Sequence, residues 1–200
     1  MIPELLYSLM LFALVSSITP GPNNLMLMSS GVNFGIRASL PHMFGVAIGF
    51  TVMIAAVGLG ALQLFKIWPA TFDILRIICA IYLMYLAYKI ASSSAPVKRS
   101  DSAHKPLTFL QAALFQWVNP KAWAMAVTAT SVYAADSSLT SILAVSLVFG
   151  VINLPCISVW VGMGHHLAGF LNEQKRLRYF NILMAVLLVA SVLPALIRGT

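Results

Sequence analysis

Acidic side chains are scarce in this sequence, which has five Asp and Glu residues against twelve Lys and Arg residues among 200. Charged residues make up only 8% of the chain, whereas hydrophobic residues make up 60%. A soluble domain carries charge over much of its surface, so this composition excludes a soluble globular protein. We therefore expect an all-α integral membrane protein, because apolar segments of about 20 residues cross a bilayer as helices.

Cysteine is also scarce, and both cysteines, Cys79 and Cys156, lie in apolar stretches. Buried free thiols are the ordinary state of such residues, so no structural disulfide is predicted. The His165-His166 pair lacks the further ligands that a metal site requires. We predict no metal, no cofactor and no enzymatic activity.

The net charge of +7 does not indicate a nucleic-acid-binding protein, because the basic residues fall between apolar runs instead of forming one basic face. Six runs are long enough to cross a bilayer. They are residues 5–31, 40–64, 69–91, 109–132, 139–163 and 177–197. The polar stretch 92–108 divides them into two halves, so we predict one transmembrane domain with a three-helix repeat at 1–91, a cytoplasmic linker at 92–108 and a second repeat at 109–200.

The Lys and Arg residues indicate how the chain is oriented in the membrane. One set of connecting segments carries Arg37, Lys89, Lys98, Arg99, Lys105, Lys175, Arg176 and Arg178, and the opposite set carries Lys66, Arg76 and Arg198. The more basic side faces the cytoplasm by the positive-inside rule, so both termini are expected outside.

Two of the apolar runs are interrupted by proline. Pro20-Gly21-Pro22 breaks the first run, and Pro120 breaks the fourth run one hundred residues after Pro20. Proline removes a backbone donor and clashes with the preceding turn, so a helix is expected to end near Thr19 and the next to begin with Asn23 as its N-cap. Matched breaks indicate inverted repeats with a transport site at their interface, although chance placement is the alternative.

Lys121 follows the second break and is the one Lys or Arg residue that is assigned to neither side of the membrane, because it lies deep inside a predicted span. It lies ~18 Å along a helix that starts at Phe109, in a hydrocarbon layer of ~30 Å. A charge at this depth is costly unless paired, and no acidic residue is predicted there. The substrate's own carboxylate would then pair with Lys121; alternatively, Lys121 bonds the carbonyl groups at a helix break and only holds that break together.

Amide side chains surround both breaks: Asn23 and Asn24 at the first, Gln116 and Asn119 at the second. Together with Lys121 and a helix N-terminus, they would suit a zwitterion better than a sugar or a lipid. We therefore predict Asn23, Asn24, Gln116, Asn119 and Lys121 as substrate-binding residues. Their alternative role is to satisfy the backbone groups that the breaks leave free.

Other residues are weaker candidates. Gly45 and Gly49 form a small-xxx-small pattern typical of close helix packing. Tyr82 would line a cavity or, alternatively, occupy a core or membrane-facing position. Asp73 and His42 are the candidates for proton coupling, although Asp73 would also pair with Arg76, and His42 would be interfacial.

These motifs resemble the LysE/RhtB family of amino-acid exporters over essentially the whole chain. The resemblance rests on residues 19–23, Gly35-Ile36-Arg37, Gly45 with Gly49, residues 109–116 and Asn119-Pro120-Lys121-Ala122-Trp123. Residues 160–165 and 181–189 are most similar to the cysteine/O-acetylserine subgroup. The sequence departs from many relatives at Cys79-Ala80, where those carry a glycine early in the third span.

The resemblance implies export of small neutral or polar amino acids, such as cysteine, O-acetylserine, threonine or homoserine, from a bacterial cytoplasm by proton-coupled alternating access. The expected partners are the substrate, protons and the lipid bilayer of the inner membrane, and a second copy of the chain in a homodimer; no nucleic acid is expected. Two alternatives stay open: a membrane thiol or electron carrier that uses Cys79 and Cys156, and a cation exporter.

Overall fold

The fold is helical throughout the part of the chain described by the computed structural model, which covers residues 3–61, 63, 67, 70–93 and 105–197. The helices are α1 (Pro3–Ile18), α2 (Pro22–Ala56), α3 (Ala70–Ala91), α4 (Phe109–Phe115), α5 (Pro120–Tyr133), α6 (Leu139–Phe170) and α7 (Gln174–Ile197). A π-helical turn at Val57–Ala61 extends α2, and a 3-10 turn at Gln116–Val118 follows α4. Most of the predicted linker, residues 94–104, lies outside the described residues.

Both predicted breaks are present. α1 ends at Ile18, and α2 starts with Pro22 in its first turn. The N-cap of α2 is Gly21 and not Asn23, so that prediction was wrong; proline fits the first helical position because the N–H it lacks would have no partner there. At the second break, Asn119 caps α5 by accepting a hydrogen bond from the Lys121 backbone N–H at 3.1 Å.

α2 reverses direction at Gly35, where the backbone adopts φ 76° and ψ 175°. This combination of angles is open to glycine and strained for other residues. Ser30 and His42 would be ~18 Å apart along a straight helix, yet their side chains hydrogen-bond at 3.0 Å. The α2 segment therefore contains two antiparallel spans, which agrees with the predicted runs 5–31 and 40–64 being separate.

Two large clusters form most of the apolar interior of the described residues, one toward each end of the bundle. One cluster contains Leu27, Val46 and Phe115 with parts of α3, α6 and α7. The other contains Leu9 and Phe149 with parts of α1, α2 and α5. The two helix breaks fall between these clusters, so the polar residues at the breaks lie near the middle of the molecule.

Large apolar side chains also cover the outside of the bundle, including Tyr7 at 71% and Val151 at 73% exposure. An apolar surface of this kind suits lipid better than water. Within the described ranges, two helical segments are long and apolar enough to cross a membrane, Pro22–Ala61 and Leu139–Phe170. The first, at ~60 Å of helix, is twice the ~30 Å that one crossing needs, which the reversal at Gly35 explains.

One end of the bundle gathers the basic residues. Val32, near the Gly35 reversal, packs against Leu171 and Leu177, at the junction of α6 and α7. Asn181 of α7 hydrogen-bonds Asn33 and the Ser93 carbonyl after α3. Arg37, Lys89, Lys105, Lys175, Arg176 and Arg178 all belong to this end, which we call the basic end.

The opposite end contains the start of α1 and the turn between α5 and α6, joined by the Ser8 and Tyr133 hydroxyl groups at 3.2 Å. In that turn the Asp136 carboxylate accepts hydrogen bonds from the Ser138 and Ser141 hydroxyls at 2.9 and 3.0 Å. These bonds favour the charged form and lower the pKa of Asp136 below its ordinary value.

Candidate functional site

The two helix breaks lie side by side. The Lys121 ammonium at the second break donates to the Thr19 carbonyl at 2.7 Å, the Thr19 hydroxyl at 2.9 Å and the Pro20 carbonyl at 3.3 Å at the first. Asn23 and Gln116 form a reciprocal amide pair, with N···O distances of 2.8 and 3.2 Å. The predicted meeting of the two breaks is thus present in the structure.

The carbonyl groups freed at the end of α1 all have donors. Asn24 donates to the carbonyls of Ser17 and Thr19, each at 2.8 Å, and the Trp160 indole donates to the carbonyl of Ile18 at 3.0 Å. Lys121 supplies the donor for Pro20. The structure therefore places Asn24 and Lys121 in the bracing role that the sequence left open as their alternative.

The start of α2 contrasts with the end of α1, because no side chain caps it. Its first-turn N–H groups have no partner within the helix, and the positive end of the helix dipole lies there. A helix N-terminus in this state attracts an anion. At this break, therefore, the carbonyl groups at the end of α1 have hydrogen-bond donors, whereas the N–H groups at the start of α2 have no side-chain acceptor.

A pocket lies at the junction of the breaks, and we call it the central pocket. It is a small pocket, with about 320 Å³ of empty space when its open mouth is included. Four of the five predicted binding residues line it, Asn23, Asn24, Asn119 and Lys121; Gln116, fully buried, contributes through its pair with Asn23. Gly21 also lines it, and a Cβ there would come within 2.7 Å of the Lys121 Cδ, so glycine leaves room for the lysine.

Sequence reasoning missed three polar residues of the central pocket, Ser16, Ser17 and Asn153. The Ser16 hydroxyl already donates to the Phe12 carbonyl. The Ser17 hydroxyl is buried and has no hydrogen-bond partner among the described residues. The Asn153 side-chain amide also forms no hydrogen bond with any described residue. A signal existed for Asn153, since it is an amide inside an apolar run two residues before Pro155. These two groups are the ones left available to a ligand.

The pocket holds a positive charge without a protein anion. Neither Asp nor Glu lines it, and the ion pair found among the described residues, between Arg176 and Glu173 at 3.1 Å, lies at the basic end. Lys121 instead rests on neutral carbonyl and hydroxyl oxygens. An arrangement of this kind retains attraction for a carboxylate.

The remaining candidates lie elsewhere. Gly45 and Gly49 pack against α4, where an added Cβ would collide with the Phe109 carbonyl and Ala113. Tyr82 packs against Phe115 with ring centroids 6.0 Å apart and lines neither this pocket nor the second cavity described below. Asp73 is in the first turn of α3, and its side chain lies outside the described part.

His42 is buried inside the bundle at 1% exposure. It hydrogen-bonds Ser30 inside the reversed α2 segment. Cys79 and Cys156 are free, buried and located on different helices, α3 and α6. Among the described residues, no three His, Cys, Asp or Glu side chains are grouped as metal ligands.

Comparison with known proteins gives a family match along most of the chain. The model of the family described as LysE type translocator matches residues 14–197. The cysteine/O-acetylserine efflux proteins of Escherichia coli strain K12 and Shigella sonnei strain Ss046 are each 32% identical to the chain over 192 residues, which cover 94% of this chain and 96% of the relative. No solved structure gives a significant match.

Proposed function

Because the chain belongs to the LysE type translocator family, we propose that it exports small neutral or polar amino acids and their derivatives from the cytoplasm. The efflux proteins that resemble it are named for cysteine and O-acetylserine, which are our first candidate substrates, ahead of threonine and homoserine. The observation that carries this proposal is the central pocket, where two helix breaks place an ammonium group beside an uncapped helix start.

We assign the substrate carboxylate to the space between the Lys121 ammonium and the first turn of α2. The carboxylate takes the place of the Thr19 hydroxyl as one of the three acceptors of Lys121, and accepts from the free N–H groups of Asn23 and Asn24. The substrate ammonium bonds the Asn153 amide oxygen, and Ser17 contacts the side chain. This arrangement uses the groups that the protein leaves without partners.

The transport cycle is proposed to be alternating access between two inverted three-helix halves, 1–91 and 109–200, with the pocket at their interface. Export against a gradient is assigned to proton exchange, with His42 and Asp73 as the candidate titrating groups. We place the protein in a bacterial inner membrane with both termini outside, since the basic end is expected to face the cytoplasm. A homodimer is compatible with this arrangement.

Counterflow tests the proposal. Proteoliposomes that contain the purified protein are loaded with unlabelled cysteine, O-acetyl-L-serine, threonine, homoserine, a divalent cation or buffer, and uptake of labelled O-acetyl-L-serine is measured. Stimulation by internal amino acids and not by the cation supports the proposal, and an interior more acidic than the medium should increase uptake. Exchange with cations alone would contradict it.

The thiol-carrier alternative is not favoured, because the family match is to translocators and neither cysteine lines the central pocket. Replacing both Cys79 and Cys156 by serine should leave counterflow intact. Loss of transport together with loss of thiol oxidation would favour the carrier instead.

A further inference from the structure

A second cavity lies between the central pocket and the basic end, and we call it the basic-end cavity. It is bounded by the first span of α2, the end of α3 and residues 105–107 before α4. Its polar lining residues are Ser29, Ser30, Asn33, His42, Lys89, Ser93 and Lys105. None of these side chains lines the central pocket.

His42 lines this cavity and has one ring nitrogen without a partner among the described residues. Its Nδ1 lies 3.0 Å from the Ser30 hydroxyl, whereas its Nε2 is buried with no hydrogen-bond partner among the described residues. When the Ser30 hydroxyl donates to Nδ1, a neutral ring carries its proton on Nε2. A buried N–H at a cavity wall is satisfied by a ligand that brings an oxygen acceptor.

Two lysines supply positive charge to the same cavity. Lys89 comes from the last turn of α3 and is half-buried, and Lys105 is exposed just before α4. Neither forms an ion pair within the described part of the chain, and none of the cavity-lining residues is Asp or Glu. The charge is therefore available to an anion that approaches from the basic end.

One face of α2 connects the two cavities. Asn23 lines the central pocket, and Met26, Ser30 and Asn33 follow it at positions +3, +7 and +10, which share one side of a helix. The distance along the axis from Asn23 to Asn33 is ~15 Å. The Asn23–Gln116 amide pair and the Met26 side chain lie between the two cavities and separate them.

We propose that the basic-end cavity is a second, cytoplasmic binding site for the carboxylate of the exported amino acid, which the substrate occupies before it reaches the central pocket. This inference rests on the proposed export function. Lys89 and Lys105 attract the carboxylate, His42 donates to it, and the substrate then moves along the α2 face when the Asn23–Gln116 pair opens.

Transport in everted membrane vesicles, whose cytoplasmic face is outward, tests the role of the lysines. A Lys89→Gln, Lys105→Gln double variant should raise the half-saturating concentration of O-acetyl-L-serine about five- to tenfold and leave the maximal rate within twofold, because local charge raises substrate concentration at a cleft. The matched control, Lys175→Gln with Arg178→Gln, removes the same charge from exposed positions at the same end. Equal effects of the two double variants would overturn the proposal.

The rate of thiol labelling in the basic-end cavity measures access to this cavity without a transport assay. Ile90 lines the cavity and is partly exposed, so Ile90→Cys, in a chain whose native cysteines are buried, reports on access. An anionic methanethiosulfonate should react faster than a cationic one in everted vesicles, and the Lys89→Gln, Lys105→Gln change should abolish this preference.

Protection against that labelling identifies the ligand class. O-acetyl-L-serine should slow the reaction at Ile90→Cys, whereas O-acetylethanolamine, which lacks the carboxylate, should not. Equal protection by both compounds, or by neither, would overturn the proposal. Protection in vesicles that show no transport would refute the export function and leave the carboxylate site standing.

Discussion

Lys121 has two duties at the residue scale, since its ammonium braces three oxygens of Thr19 and Pro20 while lining the central pocket. Different substitutions of Lys121 distinguish its bracing of the helix break from the charge that it places in the pocket. Lys121→Ala leaves the Pro20 carbonyl without its donor and the Thr19 carbonyl with Asn24 alone, so it should cost about 1–3 kcal/mol of stability. Lys121→Gln retains donors near the carbonyls but lacks the charge, so it should keep most of that stability.

Both Lys121 variants should lose export, by about 10- to 100-fold or more in counterflow, because a charge-assisted bond to the carboxylate is lost in each. Midpoints of thermal unfolding in detergent and counterflow rates measure the two effects on the same samples. Normal transport by either folded variant would leave Lys121 with the bracing role alone.

Asn153 offers a test in which stability is barely affected. Its amide has no bond to another described side chain or carbonyl, so Asn153→Leu should change the unfolding midpoint little and raise the half-saturating substrate concentration about tenfold or more. The matched control is Asn24→Leu, which removes the donors to Ser17 and Thr19 and should destabilise the protein by about 1–3 kcal/mol. Unchanged affinity in the Asn153 variant would remove this residue from the site.

The sequence identifies residues of the pocket better than it identifies their bonds. Lys121 stands out because an unpaired charge in an apolar span is rare. Its acceptors at Thr19 and Pro20 lie 102 and 101 residues away along the chain, and no local pattern records such a contact. Ser17 and Asn153 were missed because single polar residues in apolar helices also occur at structural positions.

At the scale of elements, the reversal of α2 depends on Gly35. Any side chain at φ 76° and ψ 175° is strained, so Gly35→Ala should cost about 1–3 kcal/mol. Gly162 is the control: it is helical, and an added Cβ there meets nothing within 4 Å, so Gly162→Ala should be neutral or stabilising by about 1 kcal/mol. Thermal unfolding in detergent compares the two, and equal midpoints would show that the reversal does not require glycine.

Element boundaries were predictable where backbone chemistry forces them. Proline ends α1 before Pro20 and starts α5 at Pro120, as the sequence indicated. The N-cap of α2 was placed two residues too late, at Asn23, because Pro22 occupies the first helical position and Gly21 serves as the cap. α6 continues to Phe170, beyond the apolar run 139–163, because its last turns leave the apolar interior and a helix can continue there with polar residues.

At the scale of the whole molecule, the basic end determines the expected orientation. Ala135 and Asn172 are exposed in turns at opposite ends of the bundle, and both native cysteines are buried. In intact bacteria, an impermeant maleimide should label Ala135→Cys and not Asn172→Cys, and everted vesicles should show the reverse. Labelling of Asn172→Cys in intact cells would place the basic end outside.

The two halves are held together by polar contacts as well as apolar packing. Lys121 with Thr19, Asn23 with Gln116, and Asn33 with Asn181 each join residues from the two halves. Alternating access requires some of these bonds to open in turn, which neutral amides allow at lower cost than a buried ion pair would. Inverted symmetry between the halves stays a prediction of the matched breaks.

Direct binding of substrate tests the central claim, that the paired helix breaks hold an amino acid through its carboxylate. Equilibrium binding of radiolabelled O-acetyl-L-serine to the purified protein should show saturation, weakened about 10- to 100-fold by Lys121→Gln and unaffected by competing O-acetylethanolamine. Equal affinity of the wild-type protein and a folded Lys121→Gln variant would contradict the account.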